Sequence, residues 1–294
     1  MRAVDLHTHT NCSDGTFTPR ELMDYAVGKG LRAIALTDHD TTRGLDEAEA
    51  HIRENALPLE LVPGIELSTM WHIEEEDRDQ EVHVVGLFID RTDPALQAHL
   101  DEFVSSRVNR NRKMCEKLTE AGMPVSMEEL ERDNPGAVIT RAHFARFMLE
   151  HGYVKDKKEV FAKYIGEDCP YYIPRKKVSP CEAVRVIREA GGVAVLAHPI
   201  LYRITEAQLE TLARGMQAAG MRGIEAIYST YTEAEERTVR RLAKKLRLAV
   251  SGGSDFHGTN KPGIDLAVGY GKLFVPEEIL ETLRSIHQEQ EVHT

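Results

Sequence analysis

The sequence predicts an α/β protein in which a mainly parallel sheet, closed into a barrel or doubly wound, is interrupted once by a block of helices. Three observations carry this. Short apolar runs such as Ala33-Ile34-Ala35-Leu36 and Val193-Ala194-Val195-Leu196 mark strands buried on both faces, and they alternate with helical segments opened by capping residues. Most of these runs close on a histidine or a carboxylate, and both architectures collect such side chains on one rim at the carboxyl ends of the strands. Between about Pro94 and Gly166 the alternation stops. With 294 residues the chain is long enough for a barrel, expected over residues 1–93 and 170–294, and a helical insertion over 94–169 that caps the substrate.

The first strand is β-prone at Ala3 and Val4 and turns polar in Asp5-Leu6-His7-Thr8-His9-Thr10. Histidines two apart on a strand project from the same side of the pleat. His7 and His9 can therefore face one ion, with Asp14 arriving from the loop beyond. Thr18-Pro19-Arg20-Glu21 is a capping box with proline at the first helical position, and its helix ends at Gly28 or Gly30. The second strand ends in Thr37-Asp38-His39-Asp40, and a helix follows from about Leu45 to Asn55. Residues 59–62 form the third strand and end in Pro63-Gly64-Ile65-Glu66. Residues 71–80 are acidic and irregular and read as a solvated loop; residues 82–88, with His83, are the fourth strand.

In the insertion, a helix from Asp101 sets Val104, Val108, Cys115 and Leu118 on an apolar stripe, with Arg107, Arg110, Arg112 and Lys113 on a solvated face. Others start at Ser126-Met127-Glu128-Glu129, at Thr140 and near Lys157. Residues 170–174 return the chain, and Ser179-Pro180-Cys181-Glu182 caps the next helix. The fifth strand, residues 193–197, ends in His198-Pro199; the sixth spans 223–228. The seventh, 248–251, ends in Gly253-Ser254-Asp255-Phe256-His257. A short strand at 273–275 precedes the last helix.

A net charge of -11 argues against long duplex nucleic acid or an anionic membrane as partner, while leaving room for a small anion held by local cations. The four cysteines form no Cys-x-x-Cys pair and no disulfide-like framework. No secretory signal or membrane-length apolar run is visible, so the expected location is cytoplasmic.

His7, His9, Asp14, His39, Glu66, His83, His198, Asp255 and His257 fall together on the predicted rim. Any one of these histidines alone reads as an ordinary structural residue. Crowded together, imidazoles and carboxylates desolvate one another unless cations compensate them, so the joint reading is a metal centre. Nitrogen and oxygen donors without thiolate suit Mn²⁺, Fe²⁺ or Zn²⁺. Nine donors exceed one tetrahedral site, which implies two or three ions, with Glu66 placed to bridge.

These motifs resemble the PHP (polymerase and histidinol phosphatase) domain: Asp-Leu-His7-Thr-His9-Thr, Ser-Asp14-Gly, Thr-Asp-His39, Pro-Gly-Ile-Glu66, the His83 strand, Ala-His198-Pro and Gly-Ser-Asp255-Phe-His257. The resemblance implies a distorted (β/α)7 barrel with a trinuclear centre, for which Mn²⁺ is the favoured metal. One ion would take His7, His9, Glu66 and Asp255, a second Glu66, His83 and His198, and a third Asp14, His39 and His257. Asp14, His39, Glu66, Asp255 and His257 are the expected catalytic residues. The insertion further resembles the branch acting on nucleoside 3′,5′-bisphosphates or short RNA 5′ ends.

The expected activity is therefore phosphoester hydrolysis by in-line attack of activated water. The alternatives are a histidinol-phosphate phosphatase, a metal amidohydrolase and, outside enzymes, a PHP module serving only as an interaction partner. Thr140-Arg141-Ala142-His143 reads as an N-cap and first turn, where free N–H groups, Arg141 and His143 could hold a second phosphate. Lys261 and Arg175-Lys176-Lys177 are further phosphate candidates, and Tyr202 and Tyr228 could stack a base.

Overall fold

All four residues of β2 (Ala33–Leu36) and of β5 (Val193–Leu196) are buried, as expected of strands covered on both faces. The computed structural model describes residues 3–166, 169–174 and 178–292. The other strands are β1 (Ala3–Asp5), β3 (Glu60–Ile73), β4 (Arg78–Leu87), β6 (Gly223–Tyr228), β7 (Ala249–Gly253) and β8 (Val275–Pro276). They form one sheet in the order β7-β6-β5-β4-β3-β2-β1-β8. The segment after β1 also bonds to the end of β7, through Leu6 N–H to Gly252 O at 3.2 Å and Asp255 N–H to His7 O at 2.9 Å. The sheet is thus a nearly closed barrel.

Two expectations are corrected here. Residues 71–80 are not a loop: β3 runs on to Ile73 and pairs antiparallel with β4, from Gly64 opposite Leu87 to Ile73 opposite Arg78. The strand pattern was hidden because the hairpin tip carries Glu74, Glu75, Glu76 and Asp77 in water. β4 is also antiparallel to β5, so His83 reaches the rim from the middle of its strand, not from a carboxyl end. The rest of the rim is parallel.

Six helices surround the barrel: α1 (Pro19–Gly28), α2 (Gly44–Glu54), α7 (Pro180–Glu189), α8 (Glu206–Ala219), α9 (Glu233–Leu246) and α10 (Glu277–Val292). The capping boxes at Thr18, Ser179, Thr205 and Thr232 are all formed. Ile34 and Leu36 of β2 pack outward with the helices, while Ala33 and Ala35 join Val85, Val195 and Leu283 of α10 in a separate core. That alternation is the period of a strand with two buried faces.

The insertion contains α3 (Pro94–Glu120), α4 (Met127–Asp133), α5 (Arg141–Glu150) and α6 (Lys157–Lys163). Helix α3 starts about two turns before Asp101, capped by the Asp93 carboxylate, which accepts from Leu96 N–H at 2.7 Å. Its first half packs on the barrel through Leu96, Leu100 and Phe103, and its second half joins the insertion's own core through Met114 and Leu118. Arg107 and Arg110 are buried, against the expectation of a solvated face. The apolar stripe misled because Val104 and Val108 are only half-buried.

Closure of the barrel depends on Gly253. A Cβ there would fall 2.5 Å from the backbone nitrogen of His7. Gly253→Ala should force β7 from β1 and destabilise the fold by about 2 kcal/mol. Thermal unfolding checks this, and an unchanged midpoint would show that the contact relaxes freely.

Candidate metal centre

The loop after β1 is shaped by a buried carboxylate. Asp38 accepts from Thr10 N–H at 2.8 Å, Thr10 Oγ1 at 2.6 Å and Ser13 Oγ at 2.5 Å, which turns Asp14 back toward the histidines. Asp5 likewise accepts from Ser254 N–H at 2.8 Å and Ala267 N–H at 2.9 Å, fixing the loop that carries Asp255 and His257. Burial pushes the Asp5 carboxyl up to about 6.

Eight of the nine rim side chains are buried, and His83 is nearly so. Glu66 stands at the centre. Its Oε2 lies 3.2 Å from His7 Nε2, 3.2 Å from His9 Nε2 and 3.1 Å from His39 Nδ1. Its Oε1 lies 2.9 Å from His83 Nδ1 and 3.0 Å from His198 Nε2. Asp255 Oδ1 is 3.3 Å from His9 Nε2, and Asp14 Oδ1 is 3.2 Å from His257 Nε2. The structure therefore brings together all nine residues singled out on the rim.

Three groups are tight enough to share an ion. Donor atoms of His9, Asp14, His39 and His257 lie within 4.8 Å of one another, as do those of His7, His9 and Glu66, and of His39, Glu66 and His83. His9 and His39 each belong to two groups, which the division implied by the family resemblance did not include. Chemistry favours cations here. Among the described residues, His7 Nε2, His9 Nε2, His39 Nδ1 and Asp14 Oδ1 are buried with no hydrogen-bond partner. Polar atoms so placed are costly unless something further binds them. The nitrogen and oxygen donors fit divalent ions of the first transition row.

The charges agree. Burial alone would raise Glu66, yet the histidines packed around it hold it well below the usual carboxylate range. Burial alone would lower His9 and His83, but the carboxylates around them raise His9 to about 9 and His83 to about 10. His39, where burial prevails, falls to about 3. Without metal the cluster thus holds protons that an ion must displace.

A second layer, not identified from sequence, orients the first. Glu225 accepts from His7 Nδ1 at 3.1 Å and from His198 N–H at 2.8 Å, leaving His7 Nε2 facing inward. A lone carboxylate within the apolar run of β6 was the available signal. His198, Asp255 and Asp40 hold positive φ of 25°, 55° and 54°. Each is pinned by a bond to the centre: His198 N–H to Glu225, Asp255 N–H to His7 O at 2.9 Å and Asp40 N–H to Glu66 O at 3.0 Å.

A cleft of about 150 Å³ opens beside the cluster, lined by Asp14, His39, His83, Arg107, Arg141 and Phe161, with Glu81 and Thr140. Arg107 pairs with Asp40 and donates to Ser68 Oγ at 3.1 Å. Arg141 pairs with Glu81 and lies 5.4 Å from the Tyr172 ring centre. Lys261 pairs with Asp255.

Three expected substrate contacts are placed differently. His143 Nδ1 accepts from Thr140 N–H at 2.9 Å and closes the α5 cap; burial lowers it to about 4, so it is a neutral ring serving the helix. Tyr202 is buried, with its hydroxyl donating to Ala197 O at 2.7 Å and accepting from His83 N–H at 3.0 Å. Tyr228 is buried against Asp255. Both tyrosines are supports of the cluster. Arg175, Lys176 and Lys177 lie outside the described residues.

The PHP domain family matches residues 5–164. The chain is 38% identical over 268 residues to a protein of Chromobacterium violaceum named 3′,5′-nucleoside bisphosphate phosphatase, covering 90% of this chain and 91% of that one. It is 36% identical over 253 residues to 5′-3′ exoribonuclease Rnm of Escherichia coli, covering 86% and 84%. A solved metal-dependent phosphoesterase of Bifidobacterium adolescentis superposes with a TM-score of 0.82 at 28% identity, covering 97% and 96%.

Two outcomes are expected of the centre. Because His9 at about 9 and His83 at about 10 stay protonated at neutral pH, protons compete with the ion and are removed as pH rises. Apparent Mn²⁺ affinity should therefore climb from about pH 6 to about pH 9, with proton release, which calorimetry in buffers of different ionisation enthalpy measures. Glu225→Gln should present an amide to His7 Nδ1, favour the tautomer protonated at Nε2, and weaken metal binding by about tenfold or more. Metal titration with nitrogen-15 spectra of the imidazoles checks it; an unchanged affinity would make Glu225 merely a core residue.

Proposed function

The chain belongs to the PHP domain family and is a phosphoesterase, and from that premise we propose that it removes the 3′-phosphate of nucleoside 3′,5′-bisphosphates. The observation that carries this reading is the composition of one cleft. The cluster's edge, at Asp14, His39 and His83, and two guanidinium groups, of Arg107 and Arg141, line the same small space. A single phosphate would need only the first; a ligand with two phosphates uses both.

In this reading the nine rim residues would hold up to three divalent ions, Mn²⁺ foremost. Such ions would supply Lewis acidity toward phosphoryl oxygens and lower the pKa of a bound water. The chain supplies the rest. Arg141, held at the α5 N-terminus, donates to phosphoryl oxygens as negative charge accumulates there. Arg107 is kept in place by Asp40 and Ser68, so little ordering is needed when substrate enters. Lys261, paired with Asp255, offers a third cation beside the cluster. Binding energy from the phosphate that does not react serves to position the one that does.

A second reading, trimming of short RNA from its 5′ end, is favoured by the likeness to the Escherichia coli exoribonuclease. Both substrates present phosphates at the 3′ and 5′ positions of one ribose. Histidinol phosphate, with one phosphate and a cationic amine, would leave Arg107 or Arg141 unmatched. The location is proposed to be cytoplasmic, and among the described residues no helix is long and apolar enough to cross a membrane.

The decisive measurement is kcat/KM for adenosine 3′,5′-bisphosphate, AMP and histidinol phosphate under one Mn²⁺ condition. The bisphosphate should lead by a wide margin; AMP matching it would sink the two-phosphate argument. Arg141→Ala should lower kcat/KM by about 2 kcal/mol, the loss of one charge-assisted bond to phosphate, without changing metal content. Wild-type kinetics in that variant would return Arg141 to a purely structural partner of Glu81.

A further inference from the structure

Phe161 is a large apolar side chain left 40% exposed, and an isolated exposed hydrophobe normally calls for no explanation. This one stands on the wall of the charged cleft, beside Asp14, His39, His83 and Arg141. Its position is built. In α6 the preceding residue, Val160, is fully buried in the insertion core. Lys157, four residues before Phe161, shares its face of the helix. Lys157 Nζ donates to Asn260 Oδ1 at 3.1 Å and to Asn260 O at 3.5 Å, and Asn260 Nδ2 donates to Asp14 O at 2.8 Å. The face carrying Phe161 is thereby tied to the backbone of a residue in the cluster.

Other aromatic rings near the centre are occupied. Tyr202 and Tyr228 are buried, their hydroxyls engaged by Ala197 O and Asp255. Tyr172 lies beneath the Arg141 guanidinium. Apart from the histidines, Phe161 is the one aromatic among the described residues that line the cleft. A phosphate has no use for such a surface, whereas a nucleobase does, because every base has a π-face that an aromatic ring can cover.

We propose that Phe161 is the platform on which the base of the substrate stacks, in the cleft that it shares with the cluster and the guanidinium groups. The proposal rests on the nucleotide reading above and adds to it a preference for the base itself. It also gives the insertion a role: α3 and α5 contribute the cations, and α6 contributes the contact that separates nucleotides from sugar phosphates. The contact is tolerant of which base is present, since stacking reads no hydrogen-bonding edge.

The test compares binding of AMP and ribose 5-phosphate to the full-length Mn²⁺-loaded protein by calorimetry. Wild type should favour AMP by about tenfold, a value at the lower end for one stacked base. Phe161→Ala should erase that advantage while leaving ribose 5-phosphate affinity unchanged, and Phe161→Trp should keep it. Phe161→Ala retaining the AMP advantage would overturn the platform and leave the nucleotide reading standing. Equal weakening of both ligands would overturn it too, by showing that the ring only supports the cleft. A wild type that binds the two ligands alike would overturn the nucleotide reading, and the platform with it.

Discussion

The Glu66 carboxylate makes the arrangement what it is. Five histidines turn a ring nitrogen toward its two oxygens at 2.9 to 3.2 Å, from the segment after β1, the end of β2, β4 and the end of β5. No solvated surface would tolerate that density of desolvated polar groups. The barrel tolerates it because the donors are complementary and because divalent ions take the place of protons. Folding and metal loading are then two sides of one balance: protonated histidines compensate the carboxylates until ions displace those protons.

Around that centre the fold spends a layer of buried carboxylates on orientation. Asp5, Asp38, Asp40 and Glu225 each accept hydrogen bonds from backbone or side chains next to the candidate ligands. Among the non-glycine residues with positive φ, Asp40, His198 and Asp255 are each tied to the centre by their own N–H. Strain of this kind persists only where the surroundings over-determine it. The same logic explains Gly253, where the backbone of β7 comes so close to His7 that a side chain has no room.

Much of this was legible in the sequence. Strand β2 could be read to its last residue, and the capping sequences at Thr18, Ser126 and Ser179 located their helices, because local chemistry decides both. The nine rim residues were legible because a histidine or carboxylate closing a buried apolar run must itself be compensated, and nine of them on one rim need cations for that. The hairpin of β3 and β4 was not. Its tip is acidic, so propensity argued for a loop, and only pairing between the strands overrides that. Arg107 was also misread: a cation inside a helix pattern looks solvated until a carboxylate from another element, here Asp40, lies opposite it.

Three residues of the cleft wall share a property that bears on function. Glu81, Arg107 and Arg141 come from the hairpin and the insertion, the two departures from strand–helix alternation, and all three line the cleft. The barrel rim on its own offers a place for ions and one phosphate, a chemistry that many substrates could use. On the proposed function, selection among those substrates would fall to the added elements. Helix α3 illustrates the coupling: its first half is barrel core, its second half is insertion core, and Arg107 sits where the two meet. Arg107 thereby links the cleft wall to Asp40, the residue next to His39.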